Sequence, residues 1–471
     1  MSQRFVRHKW LWVAGVAFIA ILALAAACSD DDEDVSETAS PTEEPTKRAT
    51  EAPTDAPTDV PAVCEDGPGP GSGVALKIGV LVPLTGARST FGPDYENAAR
   101  LAAKCLNNAG GVNGGPVEIV TGDTGTVPEQ GASEADILVT VEGVIAIIGA
   151  AASDVSLDVA ESVTIPNGIL QISPASTSSA LSDIDDDDFL FRMSISDAAQ
   201  GVVLANLLFE DLGYRSVCDL YVDDAYGQGL SDQYVESFTS LGGTVTASVP
   251  HDDTQAVSYG LQLEECVEDE PEVLVAISHP VGQAAVYLAE ALERGLIDQF
   301  VFVDETKADV IFEEIGWDTF DGMRGTALGT LTTDSGRAYD RAYEAEYGDL
   351  YQTPFVREAY DAIVLTALAA AAAATNTDSV AIRDALRDVA NAPGTIYGSG
   401  ADDVGGALTA AAAGEDIDYQ GASGSVDFDD KGDIVSGVIE IWQVDAASKL
   451  FTTVGRFLVD LVTNEIMALT E

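Results

Sequence analysis

A chain of 471 residues with 46% hydrophobic content is long enough for two or three domains with sizeable cores. Its 79 acidic and 22 basic residues give a formal net charge of -57, a field that repels nucleic acid and anionic lipid and leaves no basic patch for counterion release onto phosphates. Nucleic-acid binding is therefore excluded. The acidity is not confined to one stretch: residues 29–66 hold 13 acids and 2 bases, yet the chain beyond them still carries 66 acids against 17 bases. A solvated, self-repelling surface suited to solubility and to a saline medium accounts for this without a role in cation binding.

At the N-terminus Arg4, Arg7 and Lys9 precede an apolar run of 18 residues over 10–27, and small residues lead to Cys28. That is the pattern of an export segment over residues 1–28. A run of this length also suits an uncleaved membrane anchor, which stays open as the alternative. The stretch LAAAC ending at Cys28 resembles a bacterial lipoprotein box, although Ala25 stands where leucine is usual. The resemblance implies a lipidated Cys28 and a tether at the outer face of a membrane. Residues 29–72 are mostly Asp, Glu, Thr, Pro and Ser and cannot bury enough apolar area to offset their ordering entropy, so a disordered acidic tether is expected there.

At Leu76 the composition switches, and LKIGVLVPLTG begins the folded body as a buried strand ending in a Pro/Gly turn. A helix over 93–108, the loop GGVNGG, a strand over 117–121 and a helix over 129–140 follow. Next comes IAIIGAAASDVSLDVAESVTIPNGILQISPAST, over 145–177. It reads as a short apolar strand, a turn of small residues, a helix, a second apolar strand and a loop of hydroxyls. Short continuous apolar runs, rather than alternating ones, predict a parallel sheet with helices on both faces. Ligands of such sheets gather beyond the carboxyl ends of the strands, where Ser153 and the trio Ser176, Thr177 and Ser178 fall.

After FRM, ending at Met193, the alternation restarts with helices over 198–212, 229–241, 257–266 and 282–294 and strands over 217–222, 244–249, 273–277 and 300–303. The fold class is therefore α/β, with two Rossmann-like lobes and a ligand cleft between them. From about 335 the chain is helical again. Its alanine run over 367–374 is too short to span a bilayer and reads as a close-packed core helix. GSVDFDDKGDIVSGVIEIWQV predicts a hairpin turning at 430–432, and a last strand is expected over 451–457.

Beyond Cys28 there are four cysteines, an even number in an exported chain, so disulfides are the default. In a parallel α/β layer the C-terminus of a helix lies at the same end as the N-terminus of the strands. Cys64 precedes the first strand and Cys105 ends the first helix; Cys218 starts a strand and Cys266 ends a helix two units on. The expected pairs are Cys64–Cys105 and Cys218–Cys266. No CxxC spacing exists, only His8, His251 and His279 are available, and neither metal nor cofactor is expected.

Taken in order, KIGVLVPLTGARSTFG, GGVNGGPVEIV, IGAAASDVS, ISPAST, FRMSISDAAQG and DDAYGQG resemble the branched-chain amino-acid (Leu/Ile/Val)-binding proteins of bacterial ABC importers over residues 76–444. The resemblance implies the type I periplasmic-binding-protein fold, with lobe 1 over 73–194 and 330–422 and lobe 2 over 195–329 and 423–471. Its three hinge crossings would lie near 193–196, 325–329 and 421–426. It implies that Ser153 and Thr177, with Ser176 and the backbone around Ala151 and Ala175, receive a ligand carboxylate. A helix start, with its free amides and positive dipole end, suits an anion. Phe91 would form an aromatic wall and Tyr226 would close over the ligand. His279 stands where a ligand-contacting tyrosine often sits, and Asp304, or in its place Glu305, would receive the α-ammonium. Asp154 and His279 depart from the pattern for an aliphatic amino acid.

The expected function is that of an extracytoplasmic, lipid-anchored solute-binding component of an ABC importer. It would act as a monomer that captures a small amino-acid-like ligand by hinge closure and delivers it to a membrane permease. The alternatives are a ligand-sensing receptor domain of the same fold and binding of an amide or small carboxylate. No nucleophile elbow, HExxH or phosphate-binding glycine loop appears, so no enzymatic activity is expected.

Overall fold

The alternation of short apolar runs with helices resolves into two sheets. The computed structural model describes residues 64, 67–254, 256–351, 353–463 and 465–469, all within one compact unit. The export segment, the lipidation of Cys28 and nearly all of the acidic tether lie outside the described residues.

Strands β1 (Leu76–Val82), β2 (Val117–Asp123), β3 (Ala146–Gly149), β4 (Leu170–Ser173) and β5 (Leu190–Arg192) form a five-stranded parallel sheet in the order β2-β1-β3-β4-β5. The second sheet contains β6 (Ser216–Val222), β7 (Thr244–His251), β8 (Val273–Ile277), β9 (Phe300–Phe302) and β10 (Arg324–Gly329), all parallel. β11 (Thr395–Tyr397) and β12 (Ile417–Tyr419) make a small separate pair. β13 (Ser436–Asp445), β14 (Leu450–Asp460) and β15 (Glu465–Ala468) extend the second sheet antiparallel beyond β10. Its order is β15-β14-β13-β10-β9-β8-β6-β7.

The continuous apolar runs have the expected cause. β3 and β8 are buried at every position, because successive side chains enter separate cores on the two faces. Ile78 and Val80 join one core of the first sheet, whereas Leu81 and Ile147 join the other. In the second sheet Leu274 and Phe302 face one core while Val275 and Val301 face its opposite. β14 instead alternates exposed with partly covered positions, as befits an antiparallel strand with one wet face. The alanine-rich helix Val356–Ala372 is buried along nearly its whole length in the core it shares with helix Gly92–Asn108. No helix among the described residues is long and apolar enough to cross a membrane.

Three segments connect the sheets, and two of them lie later than the sequence places them. The first follows β5 over 193–196, where Ser196 caps helix Asp197–Asn206. Residues 325–329 are paired within β10, so the second connection is 330–333, ahead of helix Asp334–Tyr347. Val426, Phe428 and Ile434 still pack in the first core, so the third connection comes only as the chain enters β13. The turn near 430–432 closes over a single bridge, Phe428 to Ile434, whereas the long hairpin is β13–β14, with β14 extending beyond the predicted strand. Disulfides join Cys64 to Cys105 and Cys218 to Cys266, one beside each sheet.

Candidate functional site

Each sheet contains a point where the chain reverses direction across it. From β1 the chain adds β2 on one side and returns to place β3 on the other; β6 is flanked in the same way by β7 and β8. A crevice opens beyond the carboxyl ends of strands at such points. The loops after β1, β3 and β4 carry Arg88, Ser153 and Thr177; those after β6, β8 and β9 carry Asp224, Tyr226, His279, Asp304 and Glu305. The two sets touch: Arg88 pairs with Glu305 at 3.1 Å, and Ser178 Oγ donates to the Ala225 carbonyl at 2.6 Å. The lobes therefore meet in a closed arrangement over this site.

The first wall is built on close backbone approach. Gly149 ends β3 at φ +141°, where a Cβ would lie 2.2 Å from the Leu81 carbonyl oxygen, so only glycine brings the turn this near β1. Ser153 opens helix Ser153–Val159, which runs on through the wider-wound Ala160–Thr164. Its first-turn amides stand outside the helical ladder, and its hydroxyl accepts from the Ser178 amide at 3.3 Å. Thr177 is held by Arg192, whose Nη1 donates to the Thr177 and Ser178 carbonyls at 2.8 Å while its other nitrogens grip Asp433. Ser176 does not share this face. It is fully buried, with its hydroxyl against Ser156 Oγ at 2.8 Å and the Ala151 carbonyl at 3.3 Å, so it fixes the loop instead. Phe91 is half-buried and packs edge-on against Tyr95.

At the inner end of the second wall, Tyr226 Oη and Gln200 Nε2 donate to the same Asp304 oxygen at 2.8 and 2.9 Å. Tyr226 stands in the first turn of helix Ala225–Ser240, which starts earlier than the apolar periodicity suggests because Asp224 Oδ1 caps the Gly227 amide at 2.7 Å. Burial, followed by the Glu305 charge, pushes Asp304 up to about 6. Beside it lies Asp197, 1% exposed, whose carboxyl oxygens make no hydrogen bond of good geometry although the Thr177 hydroxyl is near enough to favour its charge; Gln200 Oε1 is buried and unpartnered. Burial and Asp304 hold Asp197 well above the usual carboxylate range.

The outer end is an ion network. Arg88 Nε and Nη2 both donate to Glu305 Oε1, at 3.2 and 3.1 Å. His279 Nε2 lies 3.3 Å from Asp224 Oδ2 and 3.3 Å from Asp253 Oδ1, and its Nδ1 lies 3.5 Å from Glu305 Oε2. The imidazole stacks on Tyr226 with ring centroids 6.4 Å apart. Burial and Arg88 oppose its protonation, but the three carboxylates override both and raise it to about 11. Glu305, despite burial, is drawn well below the carboxylate range by Arg88 and then His279. Asp224, Asp253 and His279 present ligand atoms within 4.8 Å of one another. In this arrangement the imidazole is the ion-pair partner of both carboxylates.

The structure thus gathers Ser153, Thr177, Tyr226, His279 and Asp304 around one crevice, places Phe91 at its edge and turns Ser176 away. Asp304 and Glu305 are separated by role: the first accepts from Tyr226 and Gln200 and the second pairs with Arg88. Sequence reasoning passed over Arg88, Asp197, Gln200, Asp224 and Asp253. Four of these stand inside motifs already singled out, Arg88 in GARSTFG, Asp197 and Gln200 in SDAAQG and Asp224 in DDAYGQG. Asp253 had no local signal.

Two doubly wound lobes closing on a polar crevice have the architecture of a solute-binding protein. The family description "Periplasmic binding protein" matches residues 75–431, and the chain belongs to that family. Membership of that family makes it a solute-binding protein. It is 26% identical over 364 residues, 76% of this chain and 84% of the other, to the chemotactic signal transduction system substrate-binding protein BasB of Halobacterium salinarum. Its fold matches the leucine-binding protein LivK of Thermotoga maritima with a TM-score of 0.65 at 22% identity, covering 81% of this chain and 98% of that one. A solute-binding protein of Rhodopseudomonas palustris in complex with 3,4-dihydroxybenzoic acid matches at TM-score 0.63 and 20% identity, over 83% and 98% of the two chains.

Proposed function

We propose that the protein captures a small amino-acid-like ligand between its lobes, its carboxylate against Ser153 and Thr177 and its ammonium against Asp304 and Asp197. The observation that carries this reading is the set of three buried oxygens that make no well-formed hydrogen bond, both Asp197 carboxyl oxygens and Gln200 Oε1, with only the Thr177 hydroxyl near the first two. Buried acceptors are costly unless a donor meets them, and an alkylammonium brings three N–H donors and the compensating charge. Across the crevice the hydroxyls and helix-start amides suit the carboxylate. Each charge-assisted hydrogen bond contributes about 1.5–3 kcal/mol. Hinge closure commits the ligand, and a permease in the membrane receives it. The protein works as a monomer tethered through a lipidated Cys28.

A thermal-shift screen tests the ligand class, because a ligand that binds only the folded state raises the melting temperature. Free amino acids are expected to shift it and amine-free carboxylates such as benzoate are not. Asp304→Asn should abolish the amino-acid shift. A shift with benzoate alone would replace the amino-acid reading with that of an aromatic-acid binder. A second reading, in which the loaded protein reports to a signalling partner, is favoured by the similarity to a chemotactic substrate-binding protein; co-purification with a transducer in place of a permease would support it.

A further inference from the structure

A cavity of about 60 Å³ that shares no lining residue with the crevice lies where the segments joining the two sheets meet. Residues 193–195 of the first connection, Leu331 of the second, and 423–425 and 434–438 around the third contribute to its wall. Glu358, in the first turn of helix Val356–Ala372, is the one ionisable side chain among the described residues that line it. No side chain among the described residues donates to its carboxylate, which meets only its own main-chain amide; the neighbouring Arg357 is taken by Asp340. Asp361, one turn along the same helix face, is the contrast: it accepts from Tyr419 Oη at 2.9 Å, from the Ala422 and Ser423 amides at 2.8 Å and from Ser423 Oγ at 2.7 Å. Asp361 is satisfied by the fold, and Glu358 is left short of donors. Burial accordingly pushes Glu358 up to about 7. The surrounding hydroxyls do not make up the deficit. Ser194, Ser423 and Ser425 give their protons to the Ser176 carbonyl, Asp361 and Asp427, none of which lines the cavity. A hydroxyl whose proton is committed has only lone pairs for its other neighbours. Of the four lining serines, Ser436 alone keeps an uncommitted proton among the described residues.

We infer that this cavity binds a monovalent metal cation, sodium or potassium, through Glu358 and the serine oxygens, and that the ion braces the three connections on which the lobes turn. This goes beyond the ligand reading above and does not depend on it. Hard cations take oxygen ligands and need no donor in return; an anion or an acceptor-bearing solute would meet lone pairs on nearly every side. A single water needs about 10–15 Å³ of such space, so about 60 Å³ admits an ion with a few waters and no sizeable organic ligand. One carboxylate balances one positive charge, whereas a divalent ion would keep an uncompensated charge in a site with no second acid. The net charge of -57 concentrates cations around the whole chain and so favours occupancy.

Calorimetric melting of the full-length protein in sodium, potassium and choline chloride at one ionic strength decides the matter, because general screening is then the same in all three. Sodium or potassium is expected to raise the transition by about 1–2 °C over choline, which is too large to enter the cavity. Glu358→Gln keeps the shape of the side chain and removes its charge, and should abolish that difference. Ser425→Ala keeps the carboxylate and removes one oxygen, and should reduce it. Equal transitions of the unaltered protein in the three chlorides overturn the inference, as does a cation-specific rise that survives in Glu358→Gln. Should Glu358→Gln fail to fold, an undiminished rise in Ser425→Ala overturns it equally.

Discussion

Replacing Arg88 with alanine tests whether the ion pair across the crevice holds the lobes together. Arg88 comes from the loop after β1 and Glu305 from the loop after β9, and their side chains are only 13% and 19% exposed. Little solvent screening is therefore available to weaken the pair. Hydrogen bonds to a charged group contribute roughly 1.5–3 kcal/mol; at about 1.4 kcal/mol per tenfold, the closed-to-open ratio should fall about 12- to 150-fold. The larger penalty of a stranded buried charge is not reached, because the opened crevice readmits water to Glu305. Pulsed electron-paramagnetic-resonance distances between spin labels at the exposed Glu129 and Asp252, which flank the crevice from opposite lobes, read this directly. The variant should shift the ligand-free distribution to longer distances, and Glu305→Gln should do the same. The double variant should add little to either, since both changes remove one interaction. An unchanged distribution in Arg88→Ala, or single effects that sum fully in the double variant, would refute the latch.

Gly229 faces Ser178 across the crevice, and a Cβ there would lie 2.9 Å from Ser178 Oγ and 3.6 Å from its Cα. Gly229→Val should hold the lobes apart and raise the ligand Kd at least about tenfold, with the melting transition nearly unchanged; undiminished affinity by calorimetry would count against closure at this contact. Because Asp304 is raised to about 6 by burial and Glu305, an ammonium ligand must meet its ionised form. Affinity should therefore be full above that value and fall about tenfold between roughly pH 7 and pH 5, with proton release on binding. A flat profile, or a loss towards higher pH, would contradict the assignment. The net charge of -57 predicts a melting temperature that climbs with salt, as the screening length shrinks from about 30 Å at 0.01 M to about 3 Å at 1 M. A transition that stays level or drops in calorimetry over that range would show that self-repulsion is not a major destabilising term.

The strictly alternating pattern and the continuous apolar runs of β3 and β8 were sufficient to read two parallel α/β lobes, because a strand covered on both faces has no polar position to spare. The layer geometry of helix ends and strand starts likewise identified both disulfide pairs before any contact was visible. Motif order placed Ser153, Thr177, Tyr226 and Asp304 at strand ends, where a switch point gathers loops. What could not be read was orientation. Ser176 and Thr177 are adjacent hydroxyl residues, yet one is turned into Ser156 and the other faces the crevice, and a loop without a period gives no rule for choosing between them. Asp304 was preferred to its neighbour Glu305 by strand-end position alone, and the two became distinct in role only when Arg88, 217 positions from Glu305, took that residue and left Asp304 to Tyr226 and Gln200.

By itself the sequence determined the fold class, the covalent cross-links and the strand ends at which chemistry collects, because these follow from local periodicity and from the layering it imposes. The tertiary structure alone decided which charges share the crevice. A carboxylate's role here depends on the sign and distance of groups brought by other loops, and Arg88 meets Glu305 and His279 only when two separately wound sheets close on each other.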